Sequence, residues 1–357
     1  MEEPPLFVEV PVAVEEASLQ EVPMVPAEEP SAIAGEPETE VPEPESNIPA
    51  AEIARSAENL PISHFPEIWA YLTSGSENYF KTSYPLSDIG YFGATFDSYG
   101  KLTDIPSRGK LSSFKGRVHM VVTCDARALT HFVLEPGSKT RQQALADLLE
   151  VAKPFEGLQI DFEYIPARDG EAFLSFLREL RTGLGDRWLT IALPARTRTL
   201  ADDVYDYRKI LPIVDRILVM AYDEHWSTSA PGPIASTEWC RRIVSYALQT
   251  IGSEKLIMGL PFYGRTWGDV SANKAYLFSS MERVKREHGI TDLDIKRTDG
   301  VPYFSYTTTM TVTGYYEDAI SLSAKLEMYR KAGVCSVGFW TLGQETPAVW
   351  SILRLGD

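Results

Sequence analysis

Short apolar runs alternate with amphipathic helical patterns along the chain from about residue 60 onward. Apolar side chains recur at helical spacing within residues 145–152, 173–180, 239–247 and 322–329. Eight apolar runs with helices between them predict an α/β fold, a parallel sheet closed into a (β/α)8 TIM barrel. The predicted strands cover residues 68–73, 89–96, 118–124, 158–163, 189–194, 216–222, 256–262 and 334–340.

A doubly wound open sheet is the alternative architecture. That fold usually carries a glycine-rich phosphate-binding loop after one of its strands, and no such loop follows any of the eight runs. The closed barrel is therefore the favoured prediction.

The interval 264–316, between strand seven and helix seven, is too long for a plain loop. It contains a helical pattern over residues 279–288 and a strand-like pattern over residues 301–306. We therefore expect a small α+β insertion here, on the catalytic face of a domain that spans residues 61–357.

The first 60 residues differ in composition from the rest of the chain. Residues 1–54 contain 14 Glu, 10 Pro and no Lys or Arg. When these 14 are taken from the 50 acidic side chains, the remainder of the chain carries 36 acidic against 34 basic ones. A self-repelling, proline-punctuated segment buries too little apolar surface to fold, so residues 1–60 are expected to form a disordered linker. A recognition segment for a partner is the alternative.

Charge and hydropathy argue against two classes of partner. The near-neutral remainder has no basic footprint for nucleic acid, and no apolar stretch is long enough to span a bilayer. We expect an extracytoplasmic monomer, in the periplasm, the cell envelope or the medium, whose signal or anchor is absent from this chain. The five His show no ligand pattern and the three Cys match no metal spacing, so neither a metal nor an organic cofactor is expected.

The segment 156–164, Glu-Gly-Leu-Gln-Ile-Asp-Phe-Glu-Tyr, carries the most informative polar pattern. In a strand, Gln159, Asp161 and Glu163 share the face that points into the barrel. Glu163 lies at the carboxyl end of the strand, where barrel enzymes carry their active sites. Two carboxyls on one face cannot both ionise cheaply, so one pKa rises, and Glu163 is the predicted general acid. A chance polar alternation on a half-exposed strand is the alternative.

This segment resembles the Asp-Gly-x-Asp-x-Asp-x-Glu signature of glycoside hydrolase family 18, the chitinase-like barrels. The resemblance runs from about residue 69 to residue 350, and in detail it looks most like the branch that includes spore-cortex peptidoglycan lytic enzymes. Further matches lie at strand ends in the expected order: Ile-Gly-Tyr-Phe at 89–92, Met-Ala-Tyr-Asp at 220–223, Gly-Leu-Pro-Phe-Tyr-Gly at 259–264, Tyr-Glu-Asp-Ala at 316–319 and Gly-Phe-Trp at 338–340.

The resemblance implies retaining, substrate-assisted hydrolysis of β-1,4 linkages after N-acetylglucosamine in peptidoglycan or chitin-like glycans. Glu163 would protonate the glycosidic oxygen, and the substrate's own 2-acetamido oxygen would attack C1 to give an oxazolinium ion. Asp161 would orient the acetamide, and Tyr222 would hydrogen-bond its oxygen. Asp223 would help to hold the sugar, and Trp340 would form an apolar floor under the reacting ring.

The chain departs from the signature at Glu156 and Gln159, where the family has Asp. Glu156 starts the strand and is expected to be tolerated. Gln159 lies below Asp161, and a neutral amide there can hydrogen-bond Asp161 but cannot share its charge. Because the resemblance implies that lytic enzymes often carry an amide here, the expected substrate moves from chitin toward a cell-wall glycan.

Other side chains near strand ends are candidate contacts for the sugar. Tyr91, Trp226, Tyr263 and Trp267 are candidate platforms for sugar rings, with ordinary barrel packing as the alternative. Arg265 is a candidate partner for a carboxylate on the substrate, such as that of lactyl-bearing muramic acid.

Two other functions compete with hydrolysis. One is a catalytically weak or inactive glycan-binding protein of lectin type, because this fold includes members that lost the acid. The other is an envelope scaffold in which the N-terminal segment matters most. The presence of Glu163, Asp161 and Tyr222 together favours hydrolysis, since a lectin has no need of all three.

Overall fold

The computed structural model describes residues 59–268, 274–307 and 311–356. The expected linker falls almost entirely on residues 1–58, which lie outside the described residues. Within the described ranges, no helix is both long and apolar enough to cross a bilayer. In chain order the strands are β1 (Ser63–Phe65), β2 (Glu67–Thr73), β3 (Asp88–Phe96), β4 (Leu102–Thr103), β5 (Arg117–Thr123), β6 (Gly157–Asp161), β7 (Trp188–Pro194), β8 (Arg216–Met220), β9 (Leu256–Pro261), β10 (Gly264–Gly268), β11 (Lys274–Tyr276), β12 (Lys296–Thr298), β13 (Val301–Thr307), β14 (Thr311–Tyr315), β15 (Ser336–Trp340) and β16 (Leu353–Leu355).

Eight parallel strands form a closed barrel, namely β2, β3, β5, β6, β7, β8, β9 and β15. Each pairs with the next, and β15 pairs with both β9 and β2, which closes the ring. All eight predicted strands are confirmed, with ends that differ by at most two residues. The closure excludes the doubly wound alternative, whose sheet has two open edges.

Helices cover the outside of the barrel from the third strand onward. The first two barrel connections contain no α-helix in the structure, only the short 3-10 turns Glu77–Tyr79 and Arg108–Leu111 and the two-residue strand β4. A capping box at Asp318 starts the last helix, and Gly333, with φ +90°, ends it. In chain order the helices are α1 (Arg127–Leu134), α2 (Lys139–Val151), α3 (Gly170–Leu184), α4 (Tyr207–Ile210), α5 (Thr237–Thr250), α6 (Phe278–Glu287) and α7 (Ala319–Ala332).

Alternate side chains of the barrel strands enter two separate cores because the side chains of a strand point to opposite faces. The outer core lies between strands and helices, and there the apolar stripe of α3 packs against residues such as Leu158 and Ile160. The inner core fills the barrel itself. It consists of Trp69, Tyr71, Val121, Ala192, Leu218 and Ile257.

The interval between β9 and α7 contains a small α+β unit. Its five strands form an antiparallel sheet in the order β11-β10-β14-β13-β12. Met281 and Val284 of α6 pack against Phe304 of β13 and against Tyr316, which gives the unit its own apolar cluster. The sheet lies over the end of β9, and it therefore covers side chains that would otherwise face the cleft described below.

A charged and aromatic plug closes the amino-terminal end of the barrel. Glu67 accepts hydrogen bonds from Arg117 and Arg216, whose guanidinium carbons lie 4.2 and 4.6 Å from the Trp188 ring centroid. Arg117 also donates to the buried Asp88. Side chains therefore fill the barrel interior at this end.

Candidate active site

An open cleft of about 790 Å³ lies at the carboxyl-terminal end of the barrel. Seven of the eight barrel strands contribute residues to its wall, since parallel strands all end on this side. The cleft brings together six of the side chains that the sequence singled out. They are Asp161, Glu163, Tyr222, Asp223, Trp226 and Trp340.

The polar face of β6 points into the barrel as its alternation predicts. Leu158, Ile160 and Phe162 pack in the outer core, and Gln159 and Asp161 point the other way. The strand ends at Asp161, two residues earlier than predicted, so Glu163 stands in the loop just beyond it. Asp161 is therefore fixed by the sheet, while Glu163 projects into the open cleft.

Gln159 is fully buried and both ends of its amide have partners. Its Oε1 accepts a 2.7 Å hydrogen bond from the Tyr71 hydroxyl, and its Nε2 donates to Thr190 Oγ1 at 3.1 Å. The Gln159 amide therefore bonds to β2 across the barrel and to the adjacent strand β7, rather than to Asp161. Asp161 is only 7% exposed, and its Oδ1 has no hydrogen-bond partner within the described part of the chain.

Both carboxyls of the pair hold their protons more tightly than usual. Burial raises the pKa of Asp161 well above its ordinary value, and the neighbouring charges of Glu163 and Asp125 raise it further. Glu163 has solvent-exposed atoms, yet protein surrounds it at longer range. That desolvation, followed by the charges of Asp223 and Asp125, raises the pKa of Glu163 to about 7. A carboxylic acid that stays protonated near neutrality can act as a general acid.

Tyr222 and Asp223 follow the end of β8 and form the opposite wall. Asp223 has a left-handed backbone, with φ +59°, and accepts hydrogen bonds from Tyr263 Oη at 2.6 Å and Arg265 Nη2 at 2.9 Å. Burial raises the pKa of Asp223, whereas Arg265 and Tyr263 lower it. Tyr222 lines the cleft, and its hydroxyl has no hydrogen-bond partner among the described residues.

Two of the predicted aromatic contacts are available to a ligand. Trp340 is half-buried at the base of the cleft, where its ring packs against Tyr71 and, edge-on, against Phe92. Trp226 lines the rim, and its indole N–H donates to Thr228 at 2.8 Å. Each offers part of an indole to the cleft, which suits the apolar face of a sugar ring.

Four other predicted contacts are corrected by their burial, since none is more than 4% exposed. The Tyr91 hydroxyl donates to Glu77. Tyr263 and Trp267 pack in an apolar cluster with residues of the insertion sheet, and Arg265 forms an ion pair with Asp223. Tyr91, Tyr263 and Trp267 are therefore packing residues of the barrel rather than platforms for sugar rings. Arg265 is a partner of Asp223 rather than of a substrate carboxylate.

Among the cleft-lining side chains that the sequence did not single out are Asp125, Arg196 and Trp239. Asp125 follows β5 by two residues and Arg196 follows β7 by two residues. The strand-end rule that selected Glu163 would have selected both of them. Trp239 was assigned only to a helix face, and its position at the start of α5 also brings it to the cleft.

The chain is similar to glycoside hydrolases of known family. A profile of the family described as "Glycosyl hydrolases family 18" matches residues 131–345. The chain is 34% identical over 217 residues to the putative sporulation-specific glycosylase YdhD of Bacillus subtilis (strain 168), with 56% of this chain and 50% of that protein covered. It is 26% identical over 227 residues to the cortical fragment-lytic enzyme of the same organism, with 60% and 53% covered. The chain thus spans about half the length of these curated relatives.

Solved structures show the same fold. The Bacillus cereus spore cortex-lytic enzyme SleL superposes with a TM-score of 0.72 at 20% identity, over 82% of this chain and 74% of that one. A chitinase from Chromobacterium violaceum ATCC 12472 gives a TM-score of 0.69 at 21% identity, over 80% and 97%. These likenesses establish the shared barrel architecture.

Proposed function

The chain belongs to glycosyl hydrolases family 18, and we propose that it hydrolyses β-1,4 linkages after N-acetylglucosamine by a retaining, substrate-assisted mechanism. One observation carries the proposal. Glu163, with a pKa near 7, and Asp161, with a buried and unpartnered oxygen, line the same cleft as Tyr222 and Trp340. A sugar-binding protein has no need of a carboxyl that is tuned to donate a proton at neutral pH.

The proposed steps follow from these positions. Glu163 donates its proton to the glycosidic oxygen, and the C1–oxygen bond breaks as the acetamido oxygen of the same sugar attacks C1. Asp161, which lines the cleft, accepts a hydrogen bond from the acetamide N–H and, when ionised, stabilises the positive charge that develops on the oxazolinium ion. The Tyr222 hydroxyl donates to the acetamide oxygen. Water then attacks C1 while the Glu163 carboxylate takes up one of its protons, and the bond between C1 and the acetamide oxygen breaks, which opens the oxazolinium ring and restores the acetamide.

A cell-wall glycan is the proposed substrate rather than crystalline chitin. Two of the similar proteins are named as enzymes that act on spore cortex or its fragments. The neutral Gln159, bonded to Tyr71 and Thr190, also leaves Asp161 without the acidic neighbour of the chitinase-like signature. Because such a polymer lies outside the cytoplasm, we propose that the domain acts there, with residues 1–60 as a linker.

Mass spectrometry of products from purified peptidoglycan and from chito-oligosaccharides, run in parallel, tests the function. We expect fragments with a free reducing N-acetylglucosamine end from peptidoglycan. Glu163→Gln should abolish turnover and keep glycan binding, whereas Glu171→Gln, on the exposed start of α3, should retain it. Measurable binding by the unmodified protein without any turnover would instead favour the lectin-type function.

A further inference from the structure

Arg196 is the only basic side chain among the described residues that line the cleft. It follows the end of β7, the barrel strand between the one that carries Asp161 and the one that leads to Tyr222. The other charged groups of the wall are carboxyls, including Asp104 and Asp125. A single cation in such a wall marks one position where a negative group on a ligand is tolerated.

The guanidinium of Arg196 donates some of its N–H groups to the protein and leaves others unused within the described residues. Its Nε donates to Asp203 Oδ2 at 2.8 Å and its Nη2 to Asp203 Oδ1 at 3.1 Å, while Nη1 donates to the Ala195 carbonyl at 3.1 Å. Three of its five N–H donors are used in this way. The side chain is 21% exposed and that of Asp203 only 8%. The ion pair therefore fixes the plane of the guanidinium, and one N–H of Nη1 and one of Nη2 remain without a partner among the described residues.

The same guanidinium lies on the wall that carries the catalytic pair. Its carbon is 5.9 Å from the ring centroid of Tyr205. Burial raises the pKa of the Tyr205 hydroxyl, the charges of Glu163 and Asp161 raise it as well, and Arg196 lowers it. Tyr205 thus stands within electrostatic reach of both the acid and the cation. A group bound by Arg196 would belong to a sugar at, or next to, the bond that is cleaved.

We propose that Arg196 binds a carboxylate carried by a substrate sugar, of the kind that the 3-O-lactyl group of N-acetylmuramic acid presents. The inference rests on the proposed hydrolysis and names the feature that selects its substrate. Planar carboxylates match the paired N–H groups of a guanidinium edge, which makes the contact bidentate and directional. Chitin has no carboxylate. The surrounding carboxyls repel the group from every other position, so Arg196 also sets the register of the glycan.

Matched substrates test the inference on the full chain. Glycan strands stripped of their stem peptides carry free lactyl carboxylates, and reduction of those groups to alcohols gives the neutral counterpart. The unmodified protein should favour the carboxylate form in kcat/KM by at least about tenfold. In Arg196→Gln this ratio should fall to about one, and in Arg196→Lys it should be intermediate because a lysine cannot make the bidentate contact.

Three further arms keep the result interpretable. Strands that retain their stem peptides have the lactyl carboxyl tied up as an amide, so a preference for them over stripped strands would overturn the lactyl assignment. Asp203→Asn should keep the preference for the carboxylate form. The double variant Arg196→Gln/Asp203→Asn should lose that preference, and it avoids leaving the buried Asp203 carboxylate unpaired. Turnover of neither substrate by the unmodified protein would contradict the proposed function itself. Equal turnover of both would contradict only the role of Arg196.

Discussion

The Tyr71 hydroxyl donates a 2.7 Å hydrogen bond to Gln159 Oε1, across the interior of the barrel and beneath Asp161. Thr190 holds the other end of the same amide. The layer below the catalytic pair is therefore closed by neutral groups that satisfy one another. Asp161 consequently receives no hydrogen bond from Gln159, and its buried Oδ1 has no partner among the residues that the structure describes.

Gln159→Asp would introduce a third carboxyl on the inward face at a fully buried position. Its folded-state pKa would lie above the unfolded value of about 4, so the folded protein would keep a proton that the unfolded chain releases. The free energy of unfolding should then fall as the pH rises from 4 to 8, by up to about 1.4 kcal/mol for each unit of the pKa difference. Urea denaturation at both pH values measures the slope. Gln159→Asn is the neutral control, and parallel pH profiles for the two variants would refute the prediction.

Activity should decline on the alkaline side as Glu163 loses its proton, with kcat/KM falling above about pH 7. Asp125→Asn removes a negative charge that raises the pKa of Glu163, so the alkaline limb should move to lower pH by about 0.3 to 1 unit. The pH dependence of kcat/KM on a chromogenic chito-oligosaccharide gives the shift. Asp104→Asn removes another carboxyl of the cleft wall and should leave the limb in place. A limb at the same pH in both variants would count against the assignment.

Tyr222→Phe should lower kcat/KM by about 10- to 100-fold, because the hydroxyl is the proposed donor to the acetamide oxygen. That hydroxyl makes no hydrogen bond to other described residues, so thermal unfolding should shift little. Steady-state kinetics and a melting curve on the same preparation separate the two effects. A variant with unimpaired kcat/KM would remove Tyr222 from the mechanism.

Lys325 and Glu317 form an ion pair that is fully buried where the insertion meets α7. Both carboxylate oxygens accept from Lys325 Nζ, at 3.0 and 2.8 Å, and Ser321 donates to one of them at 2.6 Å. Lys325→Met leaves the carboxylate unpaired and should cost about 3–5 kcal/mol at pH 7. Adding Glu317→Gln should recover part of that loss in urea denaturation. An equal loss in the double variant would show that lost packing, not lost charge pairing, is responsible.

Much of the fold was readable from the sequence. The eight strand predictions agree with the structure because side-chain alternation and apolar runs are local properties of the chain. None of the helical patterns in the sequence falls in the first two connections. Those segments fold as short 3-10 turns, which leave weak periodicity.

Only part of the candidate site could be predicted from the sequence, and whether a residue lies within a strand or beyond its end decides which part. Asp161 and Gln159 belong to a strand, so their direction is set by the pleat. Tyr263 and Trp267 lie past a strand end, where the alternation of β9 no longer determines direction. There the insertion sheet turns both rings into a core, against the prediction that they contact sugar.

The sequence by itself determined the barrel, the inward carboxyl pair and the chemistry that such a pair supports. Only the tertiary structure decided which arginine faces the cleft. Arg265 and Arg196 both follow a barrel strand within a few residues, and nothing local separates them. Both are paired with a carboxylate, but the side chain of Arg265 is 4% exposed and that of Arg196 is 21% exposed in the cleft wall. The reason is that burial and pairing depend on contacts between segments far apart in the chain, which a local pattern does not encode.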